Sequence, residues 1–136
     1  MVWTTNRIVA LIIGVVFTLA GIAGFFVSSS MTPGSLLGLD VDIVHNIVHL
    51  ATGIIALIAV FADRARLFNQ VFGIVYLLIG LAGLIPALYV NNMFLGTMHL
   101  NAADHVFHLV VGAIAAATGF FVKDTDTLST RPRATA

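Results

Sequence analysis

Four long apolar segments, separated by short polar ones, restrict this chain to folds that place helices in a lipid bilayer. A helix that crosses the hydrocarbon core needs about 20 predominantly apolar residues. Four segments meet this requirement, at about 8–27, 43–62, 67–90 and 104–122. Because every backbone N–H and C=O group must be paired inside lipid, segments of this kind are helical. The sequence therefore predicts an all-α membrane protein built as a four-transmembrane-helix bundle.

The composition fits a lipid environment and excludes several classes of function. Hydrophobic residues make up 60% of the chain and charged residues 9%, whereas soluble domains contain about 25% charged residues. The chain has no cysteine, which excludes disulfides and iron–sulfur clusters. The formal net charge is zero, so nucleic acid is not an expected partner. The expected partners are the lipid bilayer, other membrane proteins or further copies of the chain.

The distribution of basic residues predicts the orientation of the chain in the membrane. Every Lys and Arg precedes the first apolar segment, lies in the turn 63–66 or follows the fourth segment. Segments 28–42 and 91–103 contain neither residue type. Since basic residues mark the cytoplasmic side, we expect both termini in the cytoplasm. Residues 1–122 are predicted to form one membrane domain, and the polar residues 123–136 a disordered cytoplasmic tail.

The two halves of the chain resemble each other at a constant offset, which indicates an internal repeat. The matched pairs include Arg7 and Arg66, Gly14 and Gly73, Gly21 and Gly80, Gly24 and Gly83, His49 and His108, and Gly53 and Gly112. Each half contains two apolar segments, so both halves have the same topology. The sequence therefore predicts two tandem helical hairpins related by a pseudo-two-fold axis along the membrane normal.

All five histidines of the chain lie at or near the predicted outer end of the bundle. His45 and His49 are four residues apart and share one helix face, and Asp104 and His108 repeat this spacing. A polar ring within the membrane must find a partner, and neutral imidazole is the commonest metal ligand. Three or four members of one set could therefore hold zinc or copper: His45, His49, Asp104, His105 and His108. Asp104 could also accept a hydrogen bond from one of the rings.

Other interpretations of the histidines stay open. A haem could be held between His49 and His108, with Gly53 and Gly112 one turn deeper leaving room for the porphyrin. Alternatively, the rings only hydrogen-bond between helices, and the protein is a non-catalytic accessory or structural subunit of a larger membrane complex. The inner halves of the spans lack ionisable groups, which disfavours proton or solute movement. The chain has no glutamate, so a zinc-protease motif is missing, and no catalytic residues are predicted.

A predicted outer loop carries methionines beside the remaining histidine. Met93 and Met98 lie close to His99 in the sequence. Thioether and imidazole ligands together suit copper, but methionines in such a loop also commonly contact the lipid interface. The loop therefore does not by itself predict a second metal site.

The histidine and glycine pattern of the two halves resembles a known family. The run Asn46-Ile47-Val48-His49 is followed by Gly53, and Asp104-His105 and His108-Leu109 are followed by Gly112. This pattern, with most of the chain from about Arg7 to Val122, resembles the bacterial family described as Domain of Unknown Function 4383. The resemblance implies a short protein of the bacterial inner membrane with four spans, and again singles out His49 and His108. It implies no particular reaction, because the family brings no established activity.

Overall fold

The computed structural model describes residues 2–124, and these residues form a bundle of four long helices. The helices are α1 (Thr5–Val27), α2 (Ile43–Phe61), α3 (Ala65–Ala82) and α4 (Ala102–Phe121). Each is long and apolar enough to cross a bilayer. The prediction of an all-α bundle of membrane-spanning helices is therefore confirmed. The predicted disordered tail falls mainly on residues 125–136, which lie outside the described residues.

The surface of the bundle is apolar and its interior contains polar groups, as expected for a protein dissolved in lipid. Leu19, Ile58 and Leu78 are each 60% exposed on the outside. By contrast, several asparagines are fully buried between the helices. Asn69 Nδ2 donates to both the main-chain O and the Oδ1 of Asn6, each at 3.0 Å. These two bonds join α1 to α3, and so connect the first helical hairpin to the second.

Glycines allow the two helices within each hairpin to approach closely. An added Cβ at Gly21 would lie 2.9 Å from the carbonyl oxygen of Asn46. In the second hairpin, an added Cβ at Gly80 would lie 3.1 Å from the main-chain nitrogen of Leu109. Such spacings leave no room for a side chain, which is typical of small-residue packing between membrane helices. Accordingly, α1 packs mainly on α2, and α3 mainly on α4.

Equivalent glycines of the two halves contact equivalent partners. Gly21 and Gly80 face Leu50 and Leu109 respectively, which are themselves a matched pair in the sequence repeat. The same correspondence holds for Gly14 with Leu57 and Gly73 with Ala116, and for Gly53 with Thr18 and Gly112 with Leu77. These contacts agree with two hairpins of the same design. The pseudo-two-fold axis along the membrane normal stays a prediction.

The third helix is shorter than the sequence predicts. It ends at Ala82 rather than at about Val90. Pro86 begins a short 3-10 turn that extends to Leu88. Because a proline disfavours the α conformation of the preceding residue, Ile85 is extended, with a φ of -99° and a ψ of 104°. The apolar residues 83–90 therefore leave the helix and form part of the connection between α3 and α4.

The connection between α1 and α2 and the connection between α3 and α4 each contain a small β-hairpin that the sequence did not predict. The first consists of β1 (Gly34–Leu36) and β2 (Leu39–Val41), and the second of β3 (Tyr89–Val90) and β4 (Met93–Phe94). Each turn has two residues at positive φ: Leu37 and Gly38 in the first, Asn91 and Asn92 in the second. Two-residue turns of this kind match the twist of antiparallel strands. The hairpins position the residues just before α2 and α4.

Candidate metal centre

The start of α2 fixes the orientation of His45. Asp42 is the N-cap of α2, and its Oδ1 accepts a hydrogen bond from the main-chain nitrogen of His45 at 2.9 Å. The chain folds back through β2, which brings the carbonyl oxygen of Asp40 to 2.7 Å from His45 Nδ1. A carbonyl can only accept, so Nδ1 carries the proton and donates it. In a neutral ring, Nε2 of His45 then has a free lone pair.

His49 lies one turn further along α2 and contacts His45 directly. The Nε2 atoms of the two rings are 3.0 Å apart. Because Nε2 of His45 is unprotonated, His49 Nε2–H is the donor in this bond. The opposite nitrogen, His49 Nδ1, is buried and has no hydrogen-bond partner among the described residues. A ring nitrogen without a partner in an apolar interior is costly.

The second hairpin contributes His108 to the same place. Its ring centroid lies 6.0 Å from that of His45 and 6.2 Å from that of His49, with the ring planes steeply inclined. One nitrogen from each of the three rings lies within 4.8 Å of the other two. The three residues are 1%, 4% and 3% exposed in chain order. His108 Nδ1, like His49 Nδ1, is buried without a hydrogen-bond partner in the described part of the chain. We call His45, His49 and His108 the histidine cluster.

A small cavity borders the histidine cluster. Its volume is about 40 Å³, and it is lined by the three histidines together with Val48, Tyr76, Ile79, Phe94 and Met98. A cavity needs roughly 10–15 Å³ to hold one water molecule. The volume is therefore sufficient for a metal ion or for very few waters. It is far too small for a porphyrin.

Gly53 and Gly112 do not leave open space beneath the rings, contrary to the sequence-based interpretation. An added Cβ at Gly53 would contact the main-chain nitrogen and the hydroxyl of Thr18, and one at Gly112 would lie 2.8 Å from the main-chain nitrogen of Leu77. Neighbouring helices therefore occupy the space that a haem would need. The glycines serve helix packing, and a haem between His49 and His108 does not fit this arrangement.

Asp104 lies at the start of α4, and its carboxylate is bound to backbone amides. Its Oδ2 accepts from the main-chain nitrogens of Asn101 at 2.8 Å and of Asp40 at 3.1 Å. The first bond belongs to a capping box with Asn101, which satisfies free amides at the helix start. Among the described residues, no ring nitrogen donates to Asp104, and Asp104 is not part of the histidine cluster.

His105 also lies outside the histidine cluster. Its Nε2 is 2.8 Å from the hydroxyl of Tyr89, which itself lies 3.1 Å from the carbonyl oxygen of Gly83. Burial, and then the charge of Asp104, raise the pKa of Tyr89. Of the five residues proposed from sequence as metal ligands, the fold therefore brings three together and separates two.

The remaining histidine, His99, anchors the connection between α3 and α4 to the start of α2. Its main-chain nitrogen and its Nδ1 both contact Asp42 Oδ2, at 2.7 Å and 2.9 Å. Burial by itself raises the pKa of Asp42, but the hydrogen bonds from His45 and His99 outweigh it, so the pKa is lowered from its ordinary value. Asp42 thus holds the start of α2 and the segment that precedes α4 in a fixed relation.

Sequence reasoning missed two contributors to this region, Tyr76 and the carbonyl of Asp40. Tyr76 packs edge-on against His108, with ring centroids 5.1 Å apart. In the sequence repeat Tyr76 corresponds to Phe17, so it was not recognised as a polar residue near the site. A backbone carbonyl leaves no trace in the sequence. Met98 was visible beside His99, but only the fold shows that it borders the cavity.

Comparison with known proteins gives a family and no function. The family model described as "Domain of unknown function (DUF4383)" matches residues 7–121. No curated protein and no solved structure shows significant similarity to the chain.

Proposed function

The chain belongs to the DUF4383 family, and we propose that this multi-pass membrane protein binds one transition-metal ion, zinc or copper, at His45, His49 and His108. The observation that carries the proposal is the convergence of three buried ring nitrogens, from two helices of different hairpins, within 4.8 Å of one another.

The spacing of the ring nitrogens is compatible with one shared ion. Metal–nitrogen bonds of about 2.0–2.1 Å place tetrahedral ligand atoms about 3.3 Å apart. The His45–His49 separation of 3.0 Å is slightly shorter than this, and the 4.8 Å limit of the cluster is longer. Small rotations of the rings would bring all three nitrogens to bonding distance, and the adjacent cavity leaves a fourth position available.

The surroundings of His45 also favour a metal ligand. Metal-binding histidines usually donate their second ring nitrogen to a carbonyl or carboxylate, which fixes the tautomer and makes the other nitrogen a better ligand. The bond from His45 Nδ1 to the carbonyl of Asp40 has this form. Without an ion, the Nε2 atoms of His45 and His49 share one proton in a hydrogen bond. A bound ion would replace that hydrogen bond with two metal–nitrogen bonds.

The alternative, in which the histidines only hold helices together, has less support. The hydrogen bond between ring nitrogens joins His45 to His49, and both belong to α2, so it connects no two helices. In the described residues His108 makes no hydrogen bond to either ring. If purified protein is metal-free and retains stable partners instead, the accessory-subunit interpretation is the better one.

Metal content provides the first test. Protein purified in mild detergent, stripped with a chelator and dialysed against zinc or copper is expected to retain about one ion per chain by elemental analysis. His49→Ala and His108→Ala should each lose the ion, because two ligands from a set of three hold a metal poorly. His105→Ala is the matched control, since it removes a buried α4 histidine outside the cluster. Equal metal content in all four proteins would contradict the proposal.

The orientation of the protein is proposed to follow its basic residues, with both termini in the cytoplasm of a bacterial cell. The absence of native cysteine makes this directly measurable. Leu37→Cys, in the 97% exposed turn of the first β-hairpin, should react with a membrane-impermeant maleimide on intact cells. Arg64→Cys, between α2 and α3, should react only after permeabilisation. The opposite labelling pattern would reverse the assignment.

A further inference from the structure

Met98 lines the cavity that borders the histidine cluster. Its backbone is held by its own carbonyl group and by the residue that follows it. The main-chain nitrogen of Phe94 donates to the carbonyl oxygen of Met98 at 2.7 Å, and the next residue, His99, is bound to Asp42 through its main chain and its ring. Met98 is therefore anchored beside the cluster, although no element of regular structure contains it.

Resting on the metal site proposed above, we infer that the ion is monovalent copper and that the thioether of Met98 is its fourth ligand. The ligands would then be three buried, neutral imidazoles and the neutral sulfur of a partly buried methionine, beside a mainly apolar cavity. This assignment selects copper over zinc and adds a fourth ligand to the site, from the connection between α3 and α4.

The charge of the site favours a monovalent ion. The three histidines of the cluster are neutral ligands, and none of the nearby carboxylates, those of Asp40, Asp42 and Asp104, belongs to it. Asp40 Oδ1 accepts a hydrogen bond from Asn101 Nδ2 at 2.9 Å. Asp42 is engaged by His45 and His99, while Asp104 is engaged by backbone amides. The cost of placing an uncompensated charge in a low-dielectric interior rises steeply with that charge. A divalent ion would keep both positive charges at this site, whereas cuprous copper would keep one.

The chemistry of the fourth position also separates the two metals. Soft thioether ligands select Cu(I). Zinc with three histidines ordinarily completes its coordination with a water molecule. A water there would need two to four polar partners, but Val48, Ile79 and Phe94 occupy much of the cavity wall. The cavity therefore suits a sulfur ligand better than a zinc-bound water.

The test compares metals and methionine variants of the full-length protein in detergent. Apo-protein is titrated with Cu(I) in competition with bicinchoninate under anaerobic conditions, and separately with Zn(II). Wild type should bind one Cu(I) and should prefer it to Zn(II). Met98→Leu, which keeps the size of the side chain, should weaken Cu(I) binding at least about tenfold, the scale on which even outer-shell changes act. Its affinity for Zn(II) should stay unchanged.

Met93→Leu is the matched control, because Met93 belongs to β4 of the same connection and does not line the cavity. It should bind Cu(I) like wild type, and X-ray absorption of the copper-loaded wild type should show a sulfur neighbour that is missing in Met98→Leu. Equal Cu(I) affinity of Met98→Leu and wild type, or a preference for Zn(II), would overturn this inference while leaving the three-histidine site intact. Unchanged metal binding in His49→Ala and His108→Ala would overturn both.

Discussion

Gly53→Val is expected to separate α1 from α2 and to destabilise the folded protein by about 3 kcal/mol or more, at the upper end of what overpacked cores lose. The first added atom would already contact the main-chain nitrogen of Thr18 and would lie 2.9 Å from the carbonyl oxygen of Gly14. Backbone atoms cannot rotate away as side chains can, so the helices must move apart. The free energy of unfolding can be measured by titration with a denaturing detergent, followed by circular dichroism.

Ala51→Val is the matched control for this substitution. Ala51 lies on the same helix but is exposed on the outside of the bundle, where additional methyl groups meet lipid or detergent. Its free energy of unfolding should stay within about 0.5 kcal/mol of wild type. If the two valine variants were equally stable, the close approach of α1 and α2 at Gly53 would be contradicted.

Asp42→Ala is expected to lower the free energy of unfolding by about 2–4 kcal/mol, from the loss of a helix cap and of buried charged hydrogen bonds. The fully buried carboxylate accepts from the main-chain nitrogens of His45 and His99 and contacts the ring of His99. Its removal leaves these groups without their acceptor. Asp63→Ala should cost less than about 1 kcal/mol, since Asp63 is 88% exposed and its ion pair with Arg7 is solvated.

The contribution of Asp42 should also depend on pH in a defined direction. Its pKa is lowered in the folded protein, so the folded state binds its proton less readily than the unfolded state does. The stabilisation is therefore complete above the unfolded-state pKa of about 3.9 and is lost as the pH falls through the lower folded-state value. The stability difference between wild type and Asp42→Ala should be constant near neutral pH and should narrow below about pH 4. A difference that widens on acidification would contradict the assigned role.

Much of the fold could be predicted because apolar segment length depends on a physical constant, the thickness of the bilayer. The end of α3 could not be predicted, because residues 83–90 are as apolar as the residues of the helix itself. The helix stops there through the local conformational effect of Pro86. The β-hairpins were missed since their strands have two or three residues each. The glycine repeat was visible in the sequence, but it could not show that α1 and α3 fill the space beneath the histidine rings.

The part of the site that depends only on helix periodicity could be predicted from the sequence. Spacing of four residues places His45 beside His49, and the sequence repeat indicated His108 as the third member. The same rule suggested that Asp104 faces His108, but the free amides at the start of α4 compete for that carboxylate and bind it. His105 contacts Gly83, just as Asn46 contacts Gly24 in the first helical hairpin. The repeat thus places His105 against α3 and away from the histidine cluster. Such competition depends on three-dimensional context that one sequence does not contain.

The packing of α1 on α2, and of α3 on α4, has a consequence for biosynthesis. While the ribosome is still making the second half, the side-chain nitrogen of Asn46 in the first half can already find its acceptor, because Nδ2 donates to the carbonyl oxygen of Ser28 at 2.7 Å. When α3 follows, Asn69 finds its acceptor on α1, which is already in the membrane. Insertion can therefore proceed in pairs of helices, from the N-terminus onward, with an acceptor available for the side-chain nitrogen of each of these asparagines as it enters the membrane.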